Sequence, residues 1–279
     1  IVGGPVGDFE LLLCHGTVCV VGKMRDLILQ LSKSSIYSTK SVESHPLMRN
    51  PILSKMTSGE FDIQQMRVFH LEFYHAFAQV FTDAVIEALS AAKQLEAPLG
   101  AQAKMAARFL LQINLLDELG FHPGEDNEGN YNGQPALAHY VQFFNTIQQL
   151  GMTEQEVKAW LPMSSSLACR ATFENAYGDY TRLVGLLAVA ETVFHDFATP
   201  WAKGVDKATD IDVTQGYHSI HVESETGESI EDGHSEDAWI LFCQAITEDR
   251  YREMEQHVDL WLKVWNDFCN DLLAGRAGK

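Results

Sequence analysis

Carboxylates and histidines recur at helical spacing along this sequence, and together they could bind a metal ion. Glu191 and His195 are four residues apart. His218 and His221 are three apart, and Glu225 follows His221 by four. In a helix, these spacings place two side chains on one face. Carboxylate oxygen and imidazole nitrogen suit iron or manganese better than metals that prefer thiolates. The pattern indicates a metal site, although 38 acids and 11 histidines in a helical chain also produce such pairs by chance.

Two of the carboxylates stand beside long apolar stretches. Glu191 lies in LVGLLAVAETVF, where burying a carboxylate without a partner would be costly. Either a metal, a histidine or a proton compensates Glu191, or it faces solvent at the rim of its helix. Glu118 lies near the end of FLLQINLLDELG, where an acid opposes the helix dipole. Asn114 and Asp117 dilute the apolar face beside Glu118, so a specific role and a solvent-exposed position are equally open for it.

The segment HVESETGESIEDGHSED, residues 221–237, holds seven acids, two histidines and no Lys or Arg. In one regular helix, His221 and His234 would point to nearly opposite faces. Gly227 and Gly233 permit a bulge or loop that brings His234 back toward His221. The alternative is an exposed acidic loop.

Most of the chain has the apolar periodicity of helices. Asp62 is a predicted N-cap for a long amphipathic segment, and a second helix is expected to end at Gly120. Thr153 and Glu156 have capping-box spacing. A long apolar helix over residues 174–197 is expected to end at Pro200 and Gly204.

Residues 121–135 read as a loop, because Gly, Asn, Asp and Pro dominate them. With seven or eight helices and no sheet, the sequence predicts an all-α fold. We expect residues 1–23 to be an extension or a segment foreign to the domain, and residues 24–279 to form a single helical domain.

Composition excludes several classes of function. Lys and Arg number 20 against 38 Asp and Glu, and the formal charge of −18 disfavours nucleic acid and anionic lipid as partners. No apolar run is long enough for a membrane-spanning helix. The five cysteines are odd in number and lack C-x-x-C spacing, which disfavours a disulfide framework or a zinc ribbon and fits a reducing, cytoplasmic compartment.

Four stretches between residues 44 and 273 together resemble the heme-oxygenase-like diiron oxidases and oxygenases. This family is related in fold to TenA-like thiaminases and the PQQ-forming oxidase. The first stretch is HPLMRNPILSKMTSGEFDIQQMRVFHLEFYH. The second is INLLDELG, followed after a loop by His139 in ALAHYVQFF. The third is AVAETVF with a Pro and a Gly after it, and the fourth is YHSIHVESE…EDGHSEDAW.

The resemblance implies a heme-oxygenase-like helical bundle whose core binds two non-heme iron ions (Fe²⁺), with O₂ as co-substrate. It assigns catalytic roles to Glu118, Glu191 and His221. Its implied metal ligands are Glu118, His139, Glu191, His221, Glu225 and His234.

The sequence departs from the family pattern in two places. Glu118 and His139 are 21 residues apart, farther than in the family, so residues 121–135 look like an insertion and His122 rivals His139 as a ligand. The final motif is also longer than usual. Glu225 keeps the spacing of four after His221 and is preferred, while Glu231 and Asp232 stay open as alternatives.

Family members act on small carboxylates derived from amino acids or fatty acids, by desaturation, C–C cleavage, N-oxygenation or nitrile formation. The resemblance therefore implies a biosynthetic oxidoreductase of specialised metabolism. A carboxylate substrate needs a cation in the pocket, and Arg108 and Arg182 are candidates. An external electron donor and a homodimer are compatible with this interpretation.

Two other functions remain open. The first is a metal-free enzyme of the same fold, either a TenA-like hydrolase or a cofactorless oxidase, with Cys169 or Cys243 as a catalytic thiol. The second is a non-catalytic helical protein that binds heme or another tetrapyrrole, with His70 or His75 as the proximal ligand.

Overall fold

The computed structural model describes residues 42–123, 131–221 and 230–278. Helices dominate this part of the chain, which confirms the all-α prediction. Twelve α-helical segments occur in it, more than seven or eight, because several are single turns between longer helices. They are α1 Pro51–Ser58, α2 Ile63–Phe73, α3 Phe81–Ala91, α4 Glu96–Leu99, α5 Ala101–Glu118, α6 His139–Gln149, α7 Glu154–Ala159, α8 Ser164–Glu174, α9 Tyr180–Ala208, α10 Tyr217–Ile220, α11 Ile230–Ala245 and α12 Tyr251–Leu273.

Helix starts and stops follow the capping residues of the sequence. Asp62 accepts a hydrogen bond from the backbone N–H of Gln65, whose side chain bonds back to Asp62, and the same capping box joins Thr153 and Glu156. Gly120 follows α5 with φ of 81°, a left-handed conformation that glycine adopts without strain. A π-helical turn, Tyr74–Ala78, interrupts the segment that begins after Asp62 and separates α2 from α3.

Helix α9 extends farther than the sequence rules predict. Asp179 caps it, and it continues through Pro200 and Gly204 to Ala208, so the expected end at these two residues is wrong. The turns beyond Pro200 bury Trp201 and other apolar side chains, and this burial offsets the hydrogen bond that proline cannot make. A Cβ atom on Gly204 would lie 2.5 Å from Cε of Met66. Gly204 therefore serves close helix packing and not termination.

A short antiparallel strand pair lies where a loop was predicted. Strand β1, Phe121–Pro123, pairs with β2, Tyr131–Gly133, and Phe121 is opposite Gly133. A Cβ atom on Gly133 would lie 2.2 Å from the Phe121 ring, so this aromatic side chain covers the glycine of the opposite strand. The prediction of no sheet is therefore wrong for residues 121–123 and 131–133.

Helix α9 forms the axis of the core. It packs against α11 and α1 along much of its length, and also against α3 and α12. The ring of Trp201 lies 4.7 Å, centroid to centroid, from each of the rings of Phe69, His70 and Phe73 on α2.

None of the helices in the described ranges is long and apolar enough to cross a membrane. Residues 1–23 and the proposed start of the domain at residue 24 lie outside the described residues.

Candidate metal centre

Six potential metal ligands line one cavity, whose wall is formed by α2, the π-helical turn, α3, α5, α6 and α9 to α12. The space within it is about 740 Å³, including its open mouth. Five of the six are ligands that the resemblance implies, and the sixth is an aspartate that was not singled out. The six are Asp117, Glu118, His139, Glu191, His221 and His234.

The end of α5 and the start of α6 bring two carboxylates to one imidazole. His139 Nδ1 donates to Oε1 of Glu118 at 3.0 Å, and Nε2 of the same ring lies 3.4 Å from Oδ2 of Asp117. Thr82 Oγ1 donates to the other oxygen of Glu118 at 3.2 Å. Burial would raise the pKa of Glu118, but the charge of His139 and its hydrogen bond outweigh burial and lower it. Glu118 is therefore ionised at neutral pH.

Glu191 is buried and does not lie on a solvent-facing rim. Its side chain projects from the middle of α9 into the cavity and is 7 % exposed. Asn114 Nδ2, one turn before the end of α5, donates to Oε1 of Glu191 at 2.8 Å. This hydrogen bond offsets part of the cost of burying the carboxylate and fixes its orientation.

His221 and His234 are both buried at the cavity although they belong to different helices. His221 directly follows α10, and its ring centroid lies 5.0 Å from that of His139. His234 is on α11, with Nε2 3.4 Å from Oδ2 of Asp117. Both rings line the same cavity. Residues 222–229, with Gly227, lie outside the described residues and Gly233 lies within α11, so the bulge or loop proposed for this segment stays a prediction.

The two histidines differ in pKa. Burial, followed by the neighbouring His139, lowers the pKa of His221 well below its ordinary value. Burial would also lower the pKa of His234, but the hydrogen bond to Asp117 and the charges of Glu191, Asp117 and Asp237 outweigh burial and raise it. His221 is therefore a neutral imidazole, the form that binds metals.

Asp117 is the site residue that sequence reasoning missed. It was interpreted as a polar residue that dilutes the apolar face, whereas it lies between His139 and His234. The signal was present, since Asp117 and Glu118 are consecutive acids in the last turn of a helix, where both oppose the dipole.

The open choices of ligand fare differently. His122 is exposed on strand β1, opposite Asn132, so the geometry favours His139. Glu225 lies outside the described residues. Glu231 and Asp232 fall in the first turn of α11, and the choice among these three acids stays a prediction. His195 does not line the cavity; its Nδ1 lies 3.4 Å from Oδ1 of Asp196.

The arginines proposed to bind a substrate carboxylate are elsewhere. Arg182 donates to Oε1 of Glu253 through Nε and Nη2, at 2.9 and 2.6 Å. Arg108 Nε donates to the carbonyl oxygen of Leu89. Neither lines the cavity, and no Lys or Arg is among the described residues that do. Their proposed role is therefore wrong, because Glu253 and the carbonyl group of Leu89 already bind them.

Aromatic rings form most of the remaining wall of the cavity: Phe73, Phe77, Phe81, Tyr140, Phe143, Phe194, Tyr217 and Trp265.

The residues that the alternative functions require do not line this cavity. Cys169 is buried with its Sγ 3.6 Å from the carbonyl oxygen of Val264, and burial raises its pKa far above the ordinary value. Burial also raises the pKa of Cys243. Both thiols are thus poor nucleophiles. His70 is fully buried and His75 is half-buried, and neither lines the cavity as a proximal ligand would.

The donor set fits iron in its chemistry, with three carboxylates and three imidazoles at a single cavity. In the described ranges, however, no three His, Cys, Asp or Glu side chains are arranged to hold a metal ion. Asp117 and Glu118 instead contact imidazole nitrogens that a metal would need. Metal binding would have to displace these contacts and the protons in them.

The fold has a counterpart among solved structures. It is similar to the crystal structure of a CADD-like protein of unknown function from Nostoc punctiforme PCC 73102. The TM-score is 0.56 and the sequence identity 14 %, over 93 % of this chain and 99 % of the other. At this identity the likeness shows the fold alone. No family model and no curated protein matches the sequence.

Proposed function

We propose that the chain is a non-heme diiron enzyme that uses O₂ to oxidise a small, largely apolar substrate. The observation that carries the proposal is the convergence of three carboxylates and three imidazoles from four helices and the residue that follows α10 on one cavity. Helical bundles that bind two iron ions use such inward-pointing acids and histidines. The similarity of the fold to a CADD-like protein agrees with this assignment.

The residues of the chain have separable roles in this proposal. Iron would be held by Glu118, His139, Glu191, His221 and His234, with Asp117 and an acid from residues 225–232 as further ligands. Bound ferrous iron would supply the electrons that reduce O₂. Asn114 orients Glu191 and Thr82 orients Glu118 through the hydrogen bonds described above. The contacts of Asp117 and Glu118 with His139 hold this ring at the cavity before a metal binds.

The apolar lining of the cavity indicates that most of the substrate molecule is apolar. Its aromatic rings exclude water from the reacting atoms, and no described side chain of the wall carries a positive charge. A substrate carboxylate would therefore lie at the metal end, where the cavity is polar. This arrangement is compatible with substrates derived from fatty acids or apolar amino acids.

An anaerobic Fe²⁺ titration followed by rapid mixing with O₂ tests the proposal. We expect the wild type to bind roughly two irons per chain and to give a transient absorption after mixing. Glu191→Gln should bind less iron and give no transient. Glu248→Gln is the matched control, since Glu248 is exposed and lies outside the cavity. Absence of iron uptake by the wild type, or equal uptake by Glu191→Gln, would overturn the proposal.

A further inference from the structure

A second pair of buried histidines lies next to the candidate metal centre but outside its cavity. His70 on α2 is 0 % exposed and His218 on α10 is 4 % exposed. Their Nε2 atoms are 3.4 Å apart, and their ring planes are nearly perpendicular. Neither ring lines the cavity.

The hydrogen bonds fix the tautomers of both rings. Nδ1 of His70 lies 2.7 Å from the carbonyl oxygen of Met66, which can only accept, so this nitrogen carries the proton. Burial lowers the pKa of His70 to about 4, so the ring is neutral and its Nε2 has no proton. Nε2 of His70 is thus an acceptor, and His218 must donate to it through Nε2–H. The contact is a directional hydrogen bond between α2 and α10.

This hydrogen bond adds to the aromatic packing that holds a short helix, since the rings of Tyr217 and His218 also lie 6.0 and 5.2 Å from that of Trp201. Helix α10 has four residues, and its N-cap residue, Gly216, has no side chain to cap it. A helix of one turn is not stable on its own. Tyr217 packs against Phe143, at a centroid distance of 4.7 Å, and His218 provides the polar tether to α2. The position of His221, the next residue after α10, depends on these contacts together with its own ring contacts to Tyr217 and Phe194, at centroid distances of 4.5 and 4.8 Å.

We propose that His70 and His218 form a positioning pair that anchors α10 and thereby sets His221 at the metal centre. The inference rests on the proposed function, since it assigns the pair a task in metal binding. Two apolar side chains could fill the same space without the cost of burying polar imidazoles. The directional bond instead fixes the rotation of α10, on which the direction of the His221 ring depends.

The test compares His70→Phe with His75→Phe, a matched substitution one turn farther along the chain at a half-buried histidine whose ring packs edge-on against Tyr74. Hydrogen exchange of a peptide spanning residues 217–221 reports the anchoring of α10 directly. Co²⁺ binding, followed by its visible ligand-field absorption, reports the metal site without relying on activity. His70→Gln, whose amide oxygen can accept the same hydrogen bond, is the conservative variant.

In His70→Phe, we expect amide exchange in this peptide to be about tenfold faster and Co²⁺ affinity to fall roughly tenfold with a changed spectrum. His75→Phe should match the wild type, and His70→Gln should recover most of the protection. Unchanged exchange in His70→Phe would overturn the anchoring, whatever the metal result. Faster exchange with unchanged Co²⁺ affinity would show that the pair anchors α10 but does not position His221 for metal binding, and would overturn that part of the proposal. A wild type that binds neither Fe²⁺ nor Co²⁺ would overturn the proposed function separately.

Discussion

Oδ2 of Asp117 lies 3.4 Å from Nε2 of His234, so one carboxylate joins the end of α5 to α11. The same oxygen is 3.4 Å from Nε2 of His139 at the start of α6. Asp117 therefore ties together three elements that the sequence separates widely. Its carboxylate also accounts for much of the raised pKa of His234, which burial alone would lower. Asp117 therefore contributes both to the positions of the two imidazoles and to the raised pKa of His234.

Replacing Asp117 by Asn should weaken metal binding without unfolding the chain. The amide keeps the shape of the side chain but removes the negative charge that the two imidazoles share, so the pKa of His234 should fall. We expect Fe²⁺ affinity to drop about 10- to 100-fold, as measured by anaerobic competition titration. Asp83→Asn, at an exposed aspartate on α3, is the control and should bind iron like the wild type. Wild-type affinity in Asp117→Asn would contradict the role assigned to this carboxylate.

Much of the site could be predicted because residue type and local sequence carry the signal. Glu191 stands in so apolar a stretch that its burial demands a partner, and His221 and His234 flank a segment with glycines that can break a helix. Asp117 could not be assigned in this way. Consecutive residues of a helix point about 100° apart, so periodicity favours only one of Asp117 and Glu118. Both reach the cavity because α5 ends there and elements from elsewhere in the chain surround its last turn.

The elements that sequence rules misjudged are those where tertiary packing outweighs local preference. Pro200 and Gly204 are local signals for a helix end, yet α9 continues because its next turns bury Trp201 against α2 and approach α1 closely. The β1–β2 pair likewise depends on Phe121 covering Gly133. The periodicity of apolar residues within one segment does not reveal such a contact between two segments.

The Glu191→Gln substitution should make the metal-free protein more stable while it impairs iron uptake. A buried carboxylate is costly, whereas the amide oxygen of Gln can still accept the hydrogen bond of Asn114. We expect the free energy of unfolding to rise by about 1 kcal/mol, as functional residues often trade stability for activity. Urea unfolding of both proteins in the presence of a chelator measures this difference. Glu248→Gln should change it by less than about 0.5 kcal/mol. A less stable Glu191→Gln would show that the charge stabilises the metal-free fold.

Acid stability should depend on Glu253, which lies far from the cavity. Hydrogen bonds from Arg250, and then from Arg182, lower the pKa of Glu253 to about 2 from its ordinary value of 4.5. A lowered folded-state pKa stabilises the fold above the unfolded-state value, and this stabilisation is lost as the pH falls through the folded-state value. The side chain is 36 % exposed, so solvent screening keeps the contribution below about 1 kcal/mol.

The Tm difference between the wild type and Glu253→Gln should therefore be largest at neutral pH and shrink between pH 4.5 and about 2. Thermal melts across this range measure it. Glu255→Gln is the control for removing one acid from the same helix, since Glu255 is exposed, and its Tm difference is subtracted from that of Glu253→Gln at each pH. A Glu253→Gln difference that is constant over the range would rule out the ion pairs as its cause.

Glu72 should be the carboxylate on which the stability of the fold depends most. It is 0 % exposed and accepts four hydrogen bonds. Its donors are Trp160 Nε1 at 2.9 Å, Met163 N at 3.0 Å, Ser166 Oγ at 2.6 Å and Gly278 N at 2.7 Å. Glu72→Ala leaves these buried donors without their acceptor, and we expect the free energy of unfolding to fall by about 3 kcal/mol or more. Denaturant unfolding measures the loss, and Glu60→Ala, at an exposed surface ion pair, should lose less than about 1 kcal/mol.

Gly278→Ala separates the contribution of the chain segment after α12 from that of the other donors. A Cβ atom at this position would lie 2.0 Å from the carbonyl oxygen of Leu161 and 2.8 Å from Oε1 of Glu72, so the segment must move away. The three other hydrogen bonds of Glu72 remain. We therefore expect a loss of about 1 kcal/mol, smaller than that of Glu72→Ala, together with faster amide exchange in residues 274–278. Equal losses in the two variants would show that Glu72 acts mainly by holding this segment, whereas wild-type stability and exchange in Gly278→Ala would show that the segment does not depend on this contact.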